Sequence, residues 1–207
     1  MKAYQVDEPF GLEALRQVEL PVPEPGPGEV LVRVRAVSLN YRDLLVIRGV
    51  WRPAGPRIPA SDGVGEVVAV GGGVTRVAVG DRVAGIFLPG WIDGELSPEK
   101  LAFPSLGGSG ADGMLAEYVV LGAESVVSVP AHLSDEEAAA LPLAGVTAWH
   151  ALTRAGVKAG DTVLVQGTGG VSLFALQFAT LLGATAIVAS GSDEKLRRAA
   201  GLGAAHG

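Results

Sequence analysis

Four consecutive residues, Gly167-Thr168-Gly169-Gly170, are the part of this 207-residue sequence best suited to chemistry. They follow the apolar run TVLVQG (162–167) and open GGVSLFALQFATLLG (169–183), so a buried strand hands over to a helix at the glycines. Gly167 permits a sharp turn and Gly169 lets the backbone approach a pyrophosphate. The helix N-terminus adds free amides and a partial positive charge. The candidate phosphate-binding residues are therefore Gly167, Thr168, Gly169, Gly170 and Val171. The third glycine of a G-x-G-x-x-G fingerprint would fall at Ser172, so helix and strand must accommodate a hydroxyl there. A tight turn without a ligand is the plainer alternative.

About 20 residues on, a second buried strand, TAIVAS (185–190), ends where NAD-using enzymes place an acid on the ribose 2′-hydroxyl. Here the tip reads Ala189-Ser190-Gly191-Ser192, with no carboxylate. Ser190, Gly191, Ser192 and Lys195 can instead surround a 2′-phosphate with donors and one positive charge. The expected cofactor is NADP(H). Asp193 opens the following helix, SDEKLRRAAGLG (192–203), where the helix dipole accounts for an acid.

These groups need elements to hold them. Strand, helix, strand and helix over 159–207 read as the opening βαβα half of a doubly wound α/β sheet. Before it, Ser134 and Glu137 form a capping box that starts a helix, Pro142 breaks or restarts it, and VTAWHALTRAG (146–156) gives a second helical face. Residues 131–158 are thus expected to bridge two domains. Over 1–130, short β-branched runs alternate with turn signals: MKAYQV, EVLVRVRAVSL (29–39), GEVVAVG (65–71), DRVAGIF (81–87), LAEYVVL (115–121) and SVVSVP (125–130). They predict an all-β barrel or sandwich. Residues 20–30 form a stiff Pro-rich lead-in, and 88–113, rich in Gly, Pro and Ser, reads as a flap beside the site.

Composition removes other functions. A net charge of −6 with no basic cluster argues against nucleic acid as a partner and leaves small molecules. The absence of cysteine excludes disulfides, thiolate catalysis and every sulfur-dependent zinc site; three histidines, His132, His150 and His206, leave few other ligands. No leader pattern and no apolar run of about 18 residues are present, so no membrane partner is expected and a cytoplasmic location is the default.

The segments LNYRDLLV (39–46), IPASDGVGEVVAVGGGVTRVAVGDRVAG (58–85), DGMLAEYVV (112–120), LPLAGVTAWHAL (141–152) and GDTVLVQGTGGVSLFALQFA (160–179) resemble the medium-chain dehydrogenase/reductase family, in its zinc-independent alcohol dehydrogenase and quinone oxidoreductase-like branch. The resemblance spans essentially the whole chain. It implies a GroES-like β substrate domain, a Rossmann domain and hydride transfer from a nicotinamide to a small-molecule carbonyl or quinone. Zinc-dependent members carry a Cys, a Gly-His-Glu and a further Cys or Asp; by position these become Asn40, Ser61 with Asp62, and Leu143. Zinc prefers thiolate, imidazole and carboxylate donors, so no catalytic metal is expected. The lobe that holds a structural zinc in other members falls within 88–113, which has no sulfur.

Without zinc, hydrogen-bond donors must polarise the carbonyl, which suits enones, quinones and reactive aldehydes. The resemblance makes Asn40 a neutral donor at the vacated position, against a strand-end turn. Tyr41 either lines the pocket or has no role, Ser61 either meets substrate or is a turn hydroxyl, and Thr147 either touches the nicotinamide ribose or caps its helix. Asp43 is expected to cap or orient a local helix. Relatives form homo-oligomers through the distal edge of the Rossmann sheet, which this chain does not encode. Because family members run on into a third strand, the alternative expectation is a truncated, non-catalytic remnant or assembly component.

Overall fold

The protein is described by a computed structural model covering residues 1–207. It divides into two compact units, Met1–Pro142 and Leu143–Gly207. The division falls inside the 131–158 segment, so its first helix belongs to the first unit and its second helix to the second.

In the first unit, β1 (Lys2–Gln5) pairs antiparallel with β2 (Arg16–Glu19). The other strands are β3 (Glu29–Ser38), β4 (Asp62–Val70), β5 (Arg82–Gly85), β6 (Tyr118–Gly122) and β7 (Val126–Ser128). They form one antiparallel sheet in the order β6-β3-β4-β5-β7. The expected β architecture is present; β2, whose RQVE carries a single apolar residue, gave no strand signal. In β3, Val30 and Val32 are fully buried, while Arg33 and Arg35 on the polar face both reach Glu66 of β4, at 2.9 and 2.7 Å. Two register shifts between β3 and β4 bend the pair. Gly65 allows their closest approach, since a Cβ there would stand 2.3 Å from the Arg33 carbonyl oxygen.

Two helices matter for the site. The helix α1 (Tyr41–Ile47) follows β3 directly, and α2 (Pro98–Leu101) gives the 88–113 segment one helical turn. That segment is not wholly a flap: Leu106 is 6% exposed and joins the core of Val30, Val32, Val67, Val83 and Met114. The helix α3 (Asp135–Ala139) has the expected Ser134/Glu137 capping box. It packs Ala138 and Ala139 on Val64 and Ala84, while Arg82 of β5 donates to Asp135 at 2.7 Å.

In the second unit, a π-helical turn at Leu141–Gly145, on the boundary at Pro142, leads into α4 (Val146–Arg154). Then β8 (Thr162–Gln166), α5 (Gly170–Leu181), β9 (Thr185–Ala189) and α6 (Asp193–Gly201) follow in the expected order, with β8 and β9 parallel. Leu152, Val165, Leu176, Ala179, Ala186, Val188 and Ala199 make the core. The reading of β8 as a buried strand needs correction, because only one of its faces is covered. Val165 is buried, but Leu164 on the other face is 59% exposed. After α6, Ala205 donates to Ala186 and Val188 to His206, both at 2.9 Å, so the chain pairs on the edge of β9 away from β8.

Candidate functional site

The second unit brings most of the expected phosphate-binding residues to one place. Gly167 ends β8 at φ +86°, in the left-handed region where a side chain would be strained. Gly169 is the N-cap of α5 and offers no side-chain acceptor, which leaves the first-turn amides of that helix open to an anion. Gly170 and Val171 form the first turn. Ser172, at the place of the third glycine, donates its hydroxyl to the Gln166 carbonyl at 3.1 Å. The departure from the fingerprint is thus accommodated by one hydrogen bond back to the strand.

An open cleft of about 660 Å³ lies over this turn, lined by Gly167, Thr168, Gly169, Ala189, Ser190, Gly191 and Lys195. No carboxylate is in that lining. Ser190 accepts from the Ser192 amide at 3.3 Å. Ser192 lies outside the lining and is the N-cap of α6, accepting from the Lys195 amide at 3.4 Å. Asp193 is the first residue of α6, as its helix-dipole explanation requires. Thr147 is exposed in the first turn of α4, whose N-cap position is taken by Gly145.

In the first unit the expected substrate residues cluster around α1. Asn40 is its N-cap, and Asp43 accepts from the Asn40 amide at 2.8 Å, so the local helix and the role of Asp43 are as expected. The Asn40 Nδ2 donates one long hydrogen bond, to the Ser38 carbonyl at 3.5 Å, and retains donor capacity. Tyr41 is 74% exposed. Ser61 is 0% exposed and its hydroxyl has no partner, so it is closed off from solvent. Its amide donates to Asp43.

Arg42 is the residue that sequence reasoning missed. It is 9% exposed, and it donates to the Leu106 carbonyl at 3.0 Å, to Ser105 Oγ at 3.3 Å and to Asp43 Oδ1 at 3.3 Å. Its guanidinium lies 4.9 Å from the Phe87 ring centroid and 5.8 Å from that of Trp51. Burial lowers its pKa, opposed by the charges of Asp43 and Asp62. Burial likewise raises that of Asp43, opposed by the Asn40 amide, Arg42 and the Ser61 amide. Nothing in the spacing of YRDLLVI announces these contacts, because the principal partners are 63 and 64 residues away. The one available signal was a cation within an apolar helix. No group of three or more His, Cys, Asp or Glu side chains is placed to share a metal ion, and no helix is long and apolar enough to cross a membrane.

A family model described as the alcohol dehydrogenase GroES-like domain matches residues 26–131, half of the chain. A zinc-type alcohol dehydrogenase-like protein of Schizosaccharomyces pombe is 46% identical over 206 residues, covering 97% of this chain and 59% of the relative. A quinone-oxidoreductase of Triphysaria versicolor is 36% identical over 216 residues, covering 99% and 59%. The thermostable alcohol dehydrogenase of Pyrobaculum aerophilum, solved with cobalt and zinc bound, superposes with a TM-score of 0.88 at 34% identity, covering 100% of this chain and 64% of its own.

The chain belongs to the medium-chain dehydrogenase/reductase family.

In the terms of that family, the sheet β6-β3-β4-β5-β7 belongs to the GroES-like domain, and the βαβα of the second unit is part of an α/β Rossmann fold. The chain spans about three-fifths of the length of the family members it matches.

Proposed function

We propose that this chain carries the substrate domain and cofactor phosphate loop of a zinc-free oxidoreductase that passes hydride from NADPH to a quinone, an enone or a reactive aldehyde. The observation that carries the reading is the cleft over the glycine turn, whose strand-tip wall offers a hydroxyl, a glycine and Lys195 but no acid. A ribose 2′-hydroxyl calls for an acceptor, whereas a 2′-phosphate calls for donors and positive charge. When bound, NADPH supplies the hydride. The protein's part is to seat the pyrophosphate on Gly167–Gly170 and the open amides of α5, and to hold the 2′-phosphate by Ser190 and Lys195.

At the substrate end the residues do not fit a catalytic zinc. Asn40 offers an amide, the Ser61 hydroxyl is sealed from solvent, and Leu143 has no donor. Of the two carboxylates here, Asp62 is 0% exposed and faces the charge of Arg42, while Asp43 already holds the Asn40 and Ser61 amides and stands 3.3 Å from the same buried cation, which repels a divalent ion. Zinc chemistry, implied by the name of one relative and the metals of another, therefore enters no step. Asn40 is the donor that polarises the carbonyl oxygen, a weaker electrophile than zinc and one matched to carbonyls already activated by conjugation. Tyr41 and Thr147, both exposed, are the residues we assign to the substrate wall and the nicotinamide ribose.

The test is NADPH oxidation by the intact natural protein with quinones, enones and simple aldehydes, before and after exhaustive chelation. Turnover of conjugated substrates that survives chelation is expected. Activity that chelation abolishes and zinc restores would overturn the zinc-free reading; reduction of simple carbonyls alone would overturn the substrate class.

A further inference from the structure

Arg42 is not explained by stability. A buried guanidinium loses its hydration, and an apolar side chain of similar volume is often as good or better in such a position. Its Nε is also buried without an acceptor, a cost that packing for stability alone would avoid. What the residue does instead is join four separate pieces of the first unit. Through Asp43 it is tied to the start of α1, because the same carboxylate holds the amides of Asn40 and Ser61. Its two terminal nitrogens hold Ser105 and Leu106, and Leu106 in turn donates to the Phe87 carbonyl at 3.1 Å, closing the base of the 88–105 excursion. The rings of Phe87 and Trp51 lie within cation–π range of its guanidinium.

We propose that Arg42 is the positioning residue of the substrate end: its planar fork locks the start of α1, and hence the Asn40 amide, to the base of the 88–105 segment and to the Trp51 ring. The assignment rests on the reading of Asn40 as the carbonyl donor. A donor that replaces a metal is useful only if it is already in place when charge develops on the oxygen, so its backbone must be held on both sides. Asp43 holds it from within the helix, and Arg42 extends that hold to a segment more than 60 residues away. Lysine cannot substitute. It keeps the charge, but one ammonium on a flexible stem cannot reproduce a rigid planar fork whose two terminal nitrogens donate to Asp43, Leu106 and Ser105 at once.

The test compares Arg42→Lys and Arg42→Met with the unaltered intact protein, reading kcat, the KM values for NADPH and carbonyl substrate, and amide hydrogen exchange. The expected result is a fall in kcat of at least tenfold in both variants with the NADPH KM within twofold of the original. Exchange at Asp43 and Leu106 should accelerate by at least tenfold, with the amides of β3 and β4 unchanged. Full turnover in Arg42→Lys would overturn the role of the fork, and so would unchanged exchange at Asp43 and Leu106 in Arg42→Met. Should Arg42→Met fail to fold, Arg42→Lys alone decides by its kcat and local exchange. If the unaltered protein reduces no carbonyl yet the exchange changes are as described, the reductase reading falls while the clamp stands.

Discussion

In the proposed reading, Lys195 is the side chain that separates two cofactors. Its ammonium reaches the cleft from the first turn of α6, while its backbone amide is engaged by Ser192. Replacing it with alanine removes the charge and keeps the helix, because alanine is the best helix former and the cap is made by main chain and Ser192. Ser190 remains as a neutral donor. The loss should therefore be that of a single exposed charge-assisted contact, about 1–2 kcal/mol on NADPH binding and nearly nothing on NADH. Titration of the intact protein with both nucleotides checks this. Equal weakening of the two would place Lys195 on the pyrophosphate and remove the basis for NADPH preference.

At the level of elements, one side chain organises the first half of the 88–113 segment. Lys100, in α2, donates to the backbone carbonyls of Asp93 and Glu95, the latter at 2.8 Å, and Trp91 closes the same turn by donating to Gly94 at 2.8 Å. Here an ammonium gathers the carbonyls. Replacing Lys100 by Met should loosen that turn by about 1–1.5 kcal/mol, since the contacts are charged but exposed. Limited proteolysis within 91–97 should then run roughly tenfold faster, with the sheet unaffected; an unchanged cleavage rate would show that the turn holds itself.

The same segment marks where sequence ceases to inform. The β8-α5-β9-α6 order and the α3 capping box were legible because their signals are local: apolar period, glycine at the turn, a cap three residues from its partner. The glycine turn and the acid-free strand tip were legible for the same reason. Lys100 and Arg42 were not, because a lysine or arginine in sequence reads as a solvated charge until the fold brings carbonyls to it. Nor was the burial of Ser61. It follows Ala60, held at φ +70°, a conformation that non-glycine residues seldom adopt and that no local pattern predicts.

On the scale of the whole molecule, the two units differ in how completely their sheets are covered. The five-stranded sheet has a core sealed by Val30, Val32, Val67, Val83, Met114 and Val126, each 1% exposed or less. The parallel pair β8-β9 is covered by helices on one face only. Leu164 at 59% exposure, and Leu181 at 74% on α5, stay in water. Fully burying a leucine contributes about 1.5–3 kcal/mol, so these two alone leave roughly 2–4 kcal/mol unrealised in the second unit. Parallel pairs are also ordinarily covered on both faces, and a two-stranded sheet is marginal without such cover. A polypeptide of residues 1–207, held dilute enough to remain monomeric, should therefore open locally at β8 before it opens at β3 or β4. The measurable form is amide exchange at Val163 and Val165 at least a hundredfold faster than at Val32 and Val67, a difference of about 2.7 kcal/mol in opening free energy. Added NADPH should slow exchange in the second unit alone if the phosphate turn is competent in this polypeptide, because a ligand that binds only the closed form adds its binding free energy to local stability. Equal protection of the two sheets in a verified monomer would mean that one covered face is enough, and that the exposed leucines cost the fold less than their area implies.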